Sequence, residues 1–316
     1  MEGGLQHLIN RSQSMKQVEK ETNTSIQAQF ALLLAQKKSY SPYLHPDYLQ
    51  ILTPNWQPFQ SGAYLFPLAP RSLAHLKLLE QPLLIQHFAL VGAKTPLSVD
   101  YTALLNALSA KFHYIDLCLD TAAFPLPAGW KSQERVTYRL ALPESPQLLR
   151  GAYSQHLKRI LKKSSALSIS KDVSIEAFMP FLRQHLSNKI KLPASFYNKA
   201  EELLRNPVLQ WQICGAYSGA SLVAACAIFC HGQQRYYQLA VNAPAAKELN
   251  AMHQLLDRLL VDWCGQEIIF DFEGSMIAGL QRFYGGFGAK PYIYTRVSYS
   301  KLPWPLSLWK HGIRSE

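Results

Sequence analysis

Residues 268–289 read Ile-Ile-Phe-Asp-Phe-Glu-Gly-Ser-Met-Ile-Ala-Gly-Leu-Gln-Arg-Phe-Tyr-Gly-Gly-Phe-Gly-Ala, and no other stretch constrains the fold as tightly. The apolar, β-rich start up to Phe270 predicts a short buried strand. Asp271 and Glu273 lie two apart, so an extended chain points both carboxylates to one side. Ser275 is placed to cap a following helix by accepting from a backbone N–H two or three residues on. Gly285 and Gly286 predict the end of that helix, because glycine enters the left-handed region without a Cβ clash. Carboxylates at the C-terminal end of a strand, beside a helix start, sit where open α/β sheets bind ligands.

With 316 residues the chain is long enough for one large core or two ordinary domains. A 48% hydrophobic and 17% charged composition describes a globular protein and excludes a disordered one. Lys and Arg total 32 against 21 acids, a net charge of +11 that suits polyanionic partners or simply a basic surface. The five cysteines, Cys118, Cys214, Cys226, Cys230 and Cys264, contain no CxxC pair, which argues against a zinc site or a disulfide framework. Cys226 and Cys230 share a strand face with Ile228 and read as core thiols. The start lacks the charged-then-apolar order of a signal peptide, and no run approaches the ~20 apolar residues of a membrane span. Both points predict a cytoplasmic protein.

Along the chain, residues 1–38 are polar, with a short apolar helical piece over 30–34. A helix follows from Pro46, with Tyr48, Leu49 and Leu52 on one side. Residues 63–68 and 83–90 read as strands, 97–110 as a helix, and 114–119 and 135–142 as strands. This alternation predicts a small α/β unit over 39–143. A second unit over 144–303 opens with Pro146, suited to a helix's first turn. In the helix around 153–163, Leu157, Ile160 and Leu161 form an apolar stripe. Lys158 with Lys162, and Arg159 with Lys163, repeat like charge at i, i+4, which a helix tolerates best as a solvated face or against a bound anion. Helices at 175–186 and around 201–204 precede a strand meander at 209–217, 222–230 and 235–241, turning at Gly219 and Gly232. A long helix over 244–264, the opening segment, a last strand at 292–299 and a Pro/Trp tail over 304–316 complete the chain. Trp304 and Trp309, with Lys301 and Lys310, read as either a membrane-interface group or an edge cover.

The second half therefore runs strand–strand–strand–helix–strand–helix–strand, and its last helix ends in Phe-Tyr-x-x-x-Gly over 283–288. In this it resembles the GNAT acyltransferase superfamily, although position 289, aromatic in many members, is Ala289. The sequence Asp-Phe-Glu-Gly-Ser, followed by Arg-Phe-Tyr-x-x-Phe-Gly-Ala, resembles more narrowly the branch of the Fem-type (FemAB-like) peptidoglycan aminoacyltransferases. So does Tyr-Ser-x-x-Leu-Lys-Arg with its trailing lysines at 153–163. The likeness covers roughly residues 40–300. It implies an α/β protein of two tandem GNAT-like domains with mixed central sheets flanked by helices, and an acyl- or aminoacyltransferase acting on an amine. The acceptor would be a small molecule or a cell-wall precursor. A non-catalytic binding protein that has lost its phosphate loop is the alternative.

Acyl transfer to an amine needs a base, oxyanion donors and an acid for the leaving group. Asp271 and Glu273 are the base candidates, one to hold the amine and one to take its proton, unless both only stabilise the helix start. The resemblance implies that Tyr284 supplies the leaving-group proton; the alternative is an aromatic packed on the sheet. His253, in the long helix, reads as partly buried. Coenzyme A enzymes of the superfamily carry a glycine-rich loop between the meander and the long helix, whose amides cradle the pyrophosphate. Here that connection, 241–250, has no glycine. Asn242 and Lys247 are its polar candidates, with small Ala245 and Ala246 allowing close approach and Pro244 lacking a donor. Acetyl-CoA or another acyl-CoA is one expected donor. Aminoacyl-tRNA is the other, with Lys158, Arg159, Lys162 and Lys163 as its platform; no metal is expected. An acyl chain needs an opening in the sheet, expected between the third- and fourth-from-last strands.

Overall fold

The computed structural model describes residues 26–36, 40–163, 167–274, 276–304 and 306. Ser275, Trp309, Lys310, the first twenty-five residues and nearly all of the tail lie outside them. The first described element is a helix over 26–35, α1, which puts Phe30 and Leu34, one turn apart, into the core. A 3-10 turn (Pro42–Leu44) and α2 (Pro46–Leu52) follow, with Tyr48, Leu49 and Leu52 buried on the expected side. The antiparallel hairpin of β1 (Gln57–Ser61) and β2 (Tyr64–Leu68) stands apart from the main sheet.

That main sheet has ten strands among the described residues. In chain order they are β3 (Pro70–Leu73), β4 (Leu76–Glu80), β5 (Tyr114–Leu119), β6 (Lys131–Ala141), β7 (Ser168–Ser170), β8 (Gln210–Ser218), β9 (Ser221–His231), β10 (Gln234–Asn242), β11 (Ile269–Gly274) and β12 (Lys290–Ser300). Across the sheet they run β3-β4-β5-β12-β6-β11-β10-β9-β8-β7. The β4·β5 and β10·β11 pairs are parallel and the rest antiparallel. The mixed α/β class is as read from the sequence, and the two halves share one sheet. Its centre is interleaved: β12, the last strand, lies between β5 and β6 of the first half.

The helices are α3 (Ser98–Lys111), α4 (Pro146–Ala152), α5 (Gln155–Lys163), α6 (Ile175–Ser187), α7 (Ala194–Arg205), α8 (Ala251–Asp262) and α9 (Ala278–Gly286). In the second half, strand alternation divides the core into two layers. Ala225 and Ala227 of β9 meet Phe178, Leu182 and Tyr197 of α6 and α7 on one face. Cys226 and Ile228 face Leu255, Leu256 and Leu259 of α8, with Tyr284 of α9 and Leu157 of α5, on the other. All five cysteines are free. No helix among the described residues is long and apolar enough to cross a membrane.

Four expectations are corrected. Residues 83–90 are not a strand: Pro82 opens the segment, Leu84 takes φ 66°, and only Phe88 bridges to Leu119. The helix expected over 244–264 begins at Ala251, because Asn250 is left-handed (φ 51°) and breaks it from a 3-10 turn at Pro244–Ala246. The left-handed stop after α9 is Gly288 (φ 84°), not Gly285 or Gly286, and a Cβ there would meet Ala152 at 3.3 Å. The sheet is continuous between β9 and β10, the fourth- and third-from-last strands. It opens instead between β10 and β11, which pair only from Gln234–Ile269 to Tyr236–Asp271 before β10 runs on to Asn242.

Candidate functional site

The register brings polar side chains together on one face of the sheet's centre. Arg135 of β6 lies opposite Tyr294 of β12, Thr137 opposite Tyr292, and Arg139 opposite both Lys290 and Asp271. Directly opposed residues share a face, so this set continues through Asp271 to Tyr236 of β10 and through Arg296 to Cys118 of β5. Residues 40–48 and 81–91 cover this face. Between cover and sheet lies a cavity of about 490 Å³, lined by Gln81, Gln86, Arg135, Gln238, Glu273 and Tyr294 among others. Small-molecule sites occupy roughly 300–1,000 Å³.

Glu273 reaches this cavity through an irregularity in β11. From Asp271 to Gly274 the strand spans three steps while β6 spans two, from Arg139 to Thr137. That bulge puts Glu273 at φ 61°, which costs a non-glycine residue roughly 1–2 kcal/mol. A Cβ at Gly274 would come within 2.5 Å of Gln86 Nε2, 2.9 Å of the Tyr294 hydroxyl and 3.0 Å of the Val136 carbonyl, so a larger residue there would displace the cavity wall. The Tyr43 hydroxyl donates to Glu273 Oε1. Burial first, and the adjacent Asp271 charge second, push the Glu273 carboxyl up to about 8, against the pull of Tyr43 and Arg139.

Asp271 is engaged differently. Thr137 Oγ1 (2.5 Å) and the Glu273 amide (2.9 Å) donate to its Oδ1, and Arg139 Nε donates to its Oδ2 at 2.7 Å. It is buried and does not line the cavity. Both oxygens are committed to fixing β11 against β6, the geometry of an orienting group. Arg139 in turn stacks on the Tyr292 ring, 3.4 Å from its centroid.

Tyr284 lies outside the cavity. Its ring packs 5.0 Å from Phe272 and 6.0 Å from Tyr138, in the layer facing α8. Burial first, then Glu273 and Asp271, raise its phenol to about 12. The basic helix α5 shares that layer: Leu157 is in the same cluster, and the Ser154 amide donates to the Gly286 carbonyl at 2.9 Å. Lys158 donates to the Gly151 carbonyl at 2.8 Å, while Arg159, Lys162 and Lys163 are exposed. Lys247 is exposed, and Asn242 is half-buried, its Oδ1 without a partner among the described residues. No side chain caps α8, and Asn250 adopts the left-handed conformation a glycine would take. His253 packs on Phe283, 4.8 Å between ring centroids, and burial lowers its imidazole to about 4.

Sequence reading missed Tyr43, Gln238, Arg135, Arg139 and Tyr294. Tyr48 links the cover to the sheet by donating to the Leu84 carbonyl (2.6 Å) and Gln238 Oε1 (2.9 Å). Gln238 stands at the irregularity where β10 shifts register against β9. His87, also missed, is buried between the rings of Tyr43 and Tyr294, and burial keeps it neutral by lowering its pKa. One signal was available. The strand 133–139 alternates Gln, Arg, Thr, Arg with Ser132, Glu134, Val136 and Tyr138, a polar row at strand period.

This arrangement, a mixed sheet opened between two parallel strands and interleaved by its last strand, has the fold of several solved structures. The chain is similar to FemX, at 10% identity over 83% of this chain and 92% of FemX, with a TM-score of 0.54. It is similar to the C-terminal domain of a putative lysylphosphatidylglycerol synthetase from Agrobacterium fabrum, at 10% identity over 92% and 96% of the two chains, TM-score 0.52. L-PGS from Bacillus licheniformis matches at 14% identity over 89% and 94%, TM-score 0.50. At these identities the likeness is one of fold. No protein-family profile and no curated protein matches the sequence.

Proposed function

We propose that this protein is an N-acyltransferase that moves an acyl or aminoacyl group from a thioester or aminoacyl-tRNA donor to an amine. One observation carries the reading: Glu273, with its raised carboxyl, lines an open cavity beside the opening between β10 and β11. The acceptor occupies the cavity. The donor approaches from the opposite face, where Tyr284, the uncapped start of α8 and the cations of α5 lie. An anionic donor, coenzyme A or tRNA, suits that basic face and the +11 charge. Both donors are cytoplasmic.

An amine arrives protonated. Glu273, ionised above about pH 8, takes a proton, and the freed lone pair attacks the acyl carbon. A C–N bond forms as the C–S or C–O bond to the donor breaks, the attacking nitrogen releases its second proton to solvent, and the leaving sulfur or oxygen takes a proton. Tyr284 is the phenol on that face suited to give it. Tyr43 steadies the ionised Glu273 by its hydrogen bond, and Asp271 with Arg139 holds the strand beneath it. FemX and the synthetase domains offer the analogy that favours an aminoacyl donor, and a cell-wall precursor is one acceptor of the required kind.

The test is transfer of labelled acyl groups by the full chain, from acetyl-CoA and from aminoacyl-tRNA in turn, into a panel of amines. Acid-stable label in an amine is expected with one donor, with log kcat/KM rising through about pH 8. Glu273→Gln is expected to lower kcat/KM by about 10²–10⁴-fold. Absence of transfer from either donor, with no donor binding by calorimetry, leaves the non-catalytic reading in its place.

A further inference from the structure

Of the two guanidiniums that line the acceptor cavity, one is paired among the described residues and one is not. Arg296 is matched there, donating from Nε and Nη2 to the two oxygens of Asp116 at 2.8 Å each. Arg135 lines the same cavity, half-buried, and its guanidinium makes no hydrogen bond or ion pair among the described residues. Acceptors collect elsewhere on the wall. Besides Glu273 there is Gln86, whose buried Oε1 has no partner among the described residues, and Gln238, whose Oε1 accepts from Tyr48. In the adjoining cavity, about 420 Å³ beyond the shared wall of Gln81–Leu84, both lining cations have partners. There Arg71 pairs with Glu80 at 3.3 Å, and Lys199 donates to the Leu52 carbonyl.

An ammonium group needs acceptors, and Glu273, Gln86 and Gln238 provide them. A guanidinium held beside an ammonium site, in a half-enclosed cavity, repels a simple amine unless an anion accompanies it. Arg135 sits on β6 opposite Tyr294, on a rigid central strand, and its planar fork matches carboxylate and phosphate oxygens two at a time. We infer that the acceptor is zwitterionic, an amine whose molecule also carries a carboxylate or phosphate, with Arg135 binding the anion while Glu273 and Gln86 take the ammonium. The inference rests on the acyltransferase reading for the word acceptor, but the ligand class follows from the cavity alone. The same cavity wall sets the scale at an amino acid or short peptide, or the tip of a longer molecule.

Four probes separate these groups: L-lysine against cadaverine, which lacks its carboxylate, and phosphoethanolamine against ethanolamine, which lacks its phosphate. Each is titrated calorimetrically into the full chain at pH 8.5. At least one anion-bearing member should bind about tenfold or more tightly than its partner. The pair that shows the difference tells carboxylate from phosphate. Arg135→Gln should bring that ratio to near one while leaving the simple amine's affinity unchanged or higher. Arg135→Lys, which keeps the charge and loses the fork, should retain part of it and serves if the glutamine variant does not fold. Equal binding within both pairs, an undiminished ratio in both variants, or no binding of any probe overturns the inference. Because no donor is present, the outcome is independent of catalysis. Selective binding without transfer sinks the acyltransferase reading alone, and transfer to simple and zwitterionic amines alike sinks this one alone.

Discussion

Glu273 combines three properties that rarely coincide: a left-handed backbone, a hydrogen bond from a residue 230 positions away, and a carboxyl raised to about 8. The raised value has a consequence for stability. Between its ordinary value of 4.5 and about 8, the folded protein holds a proton that the unfolded chain has released. Stability therefore falls as pH rises through that window. Glu273→Gln removes the dependence, so the variant should gain on the parent between pH 5 and pH 8.5, by on the order of 4 kcal/mol. Urea melts at the two pH values measure this, and a constant gap between the proteins would refute it. The carboxylate itself was legible in the sequence, as one of a pair at the end of a buried strand. Its environment was not, because Tyr43, Arg135 and Tyr294 come from distant segments that only the sheet register brings together. Tyr284 was legible as an aromatic at a helix end, and its burial against Phe272 follows from the strand alternation that sends Asp271 to the other face.

At the scale of elements, β11 is fixed by Asp271, which ties it to Arg139 and Thr137 of β6 and receives the Glu273 amide. Asp271→Asn weakens this junction and should destabilise the protein by about 1.5–3 kcal/mol, the range for a hydrogen bond to a charged group. It also removes a charge that raises the Glu273 pKa, so the alkaline rise in kcat/KM should move to lower pH. Tyr43→Phe removes a hydrogen bond that lowers it, and the rise should move to higher pH. Shifts in the same direction would rule out this division of roles. Most elements with a clear period were legible: β5 and the meander of β8, β9 and β10 fall where alternation places them, and α3 and α6 where apolar stripes do. The failures share a cause. Residues 83–90 are apolar because they pack over the sheet as a connection, with Pro82 and left-handed Leu84 preventing a ladder. Residues 244–250 hold two alanines and a leucine, good helix formers, yet Asn250 turns the chain before α8 starts. Composition alone does not distinguish a buried connection from a buried element.

For the whole molecule, the decisive feature is where the chain ends its sheet. An apparent boundary near residue 143 separates two α/β segments in the sequence, and we propose that it marks the junction of two GNAT-like units. Those units are joined by exchange rather than by contact. β12 pairs with β5 over 295–300 and with β6 over 290–298, so the first unit's sheet is completed by the last strand of the second. A Trp130–Tyr299 stack at 5.0 Å and the Arg296–Asp116 pair lock β12 in place. On the other side β6 pairs with β11, which carries Glu273. Neither unit can lose its tertiary structure without removing a central strand partner from the other, and the acceptor cavity, lined by both, has to go with them. The protein should therefore unfold in one transition. Variants retaining a single tryptophan, Trp130 in the first unit or Trp263 against Phe270 in the second, should report the same urea midpoint by fluorescence, coincident with far-ultraviolet circular dichroism. Midpoints separated beyond error would mean that the interleaved strands do not couple the halves. The cavity would then depend on the less stable half, and ligand binding would be lost at the lower midpoint while the other half remained folded.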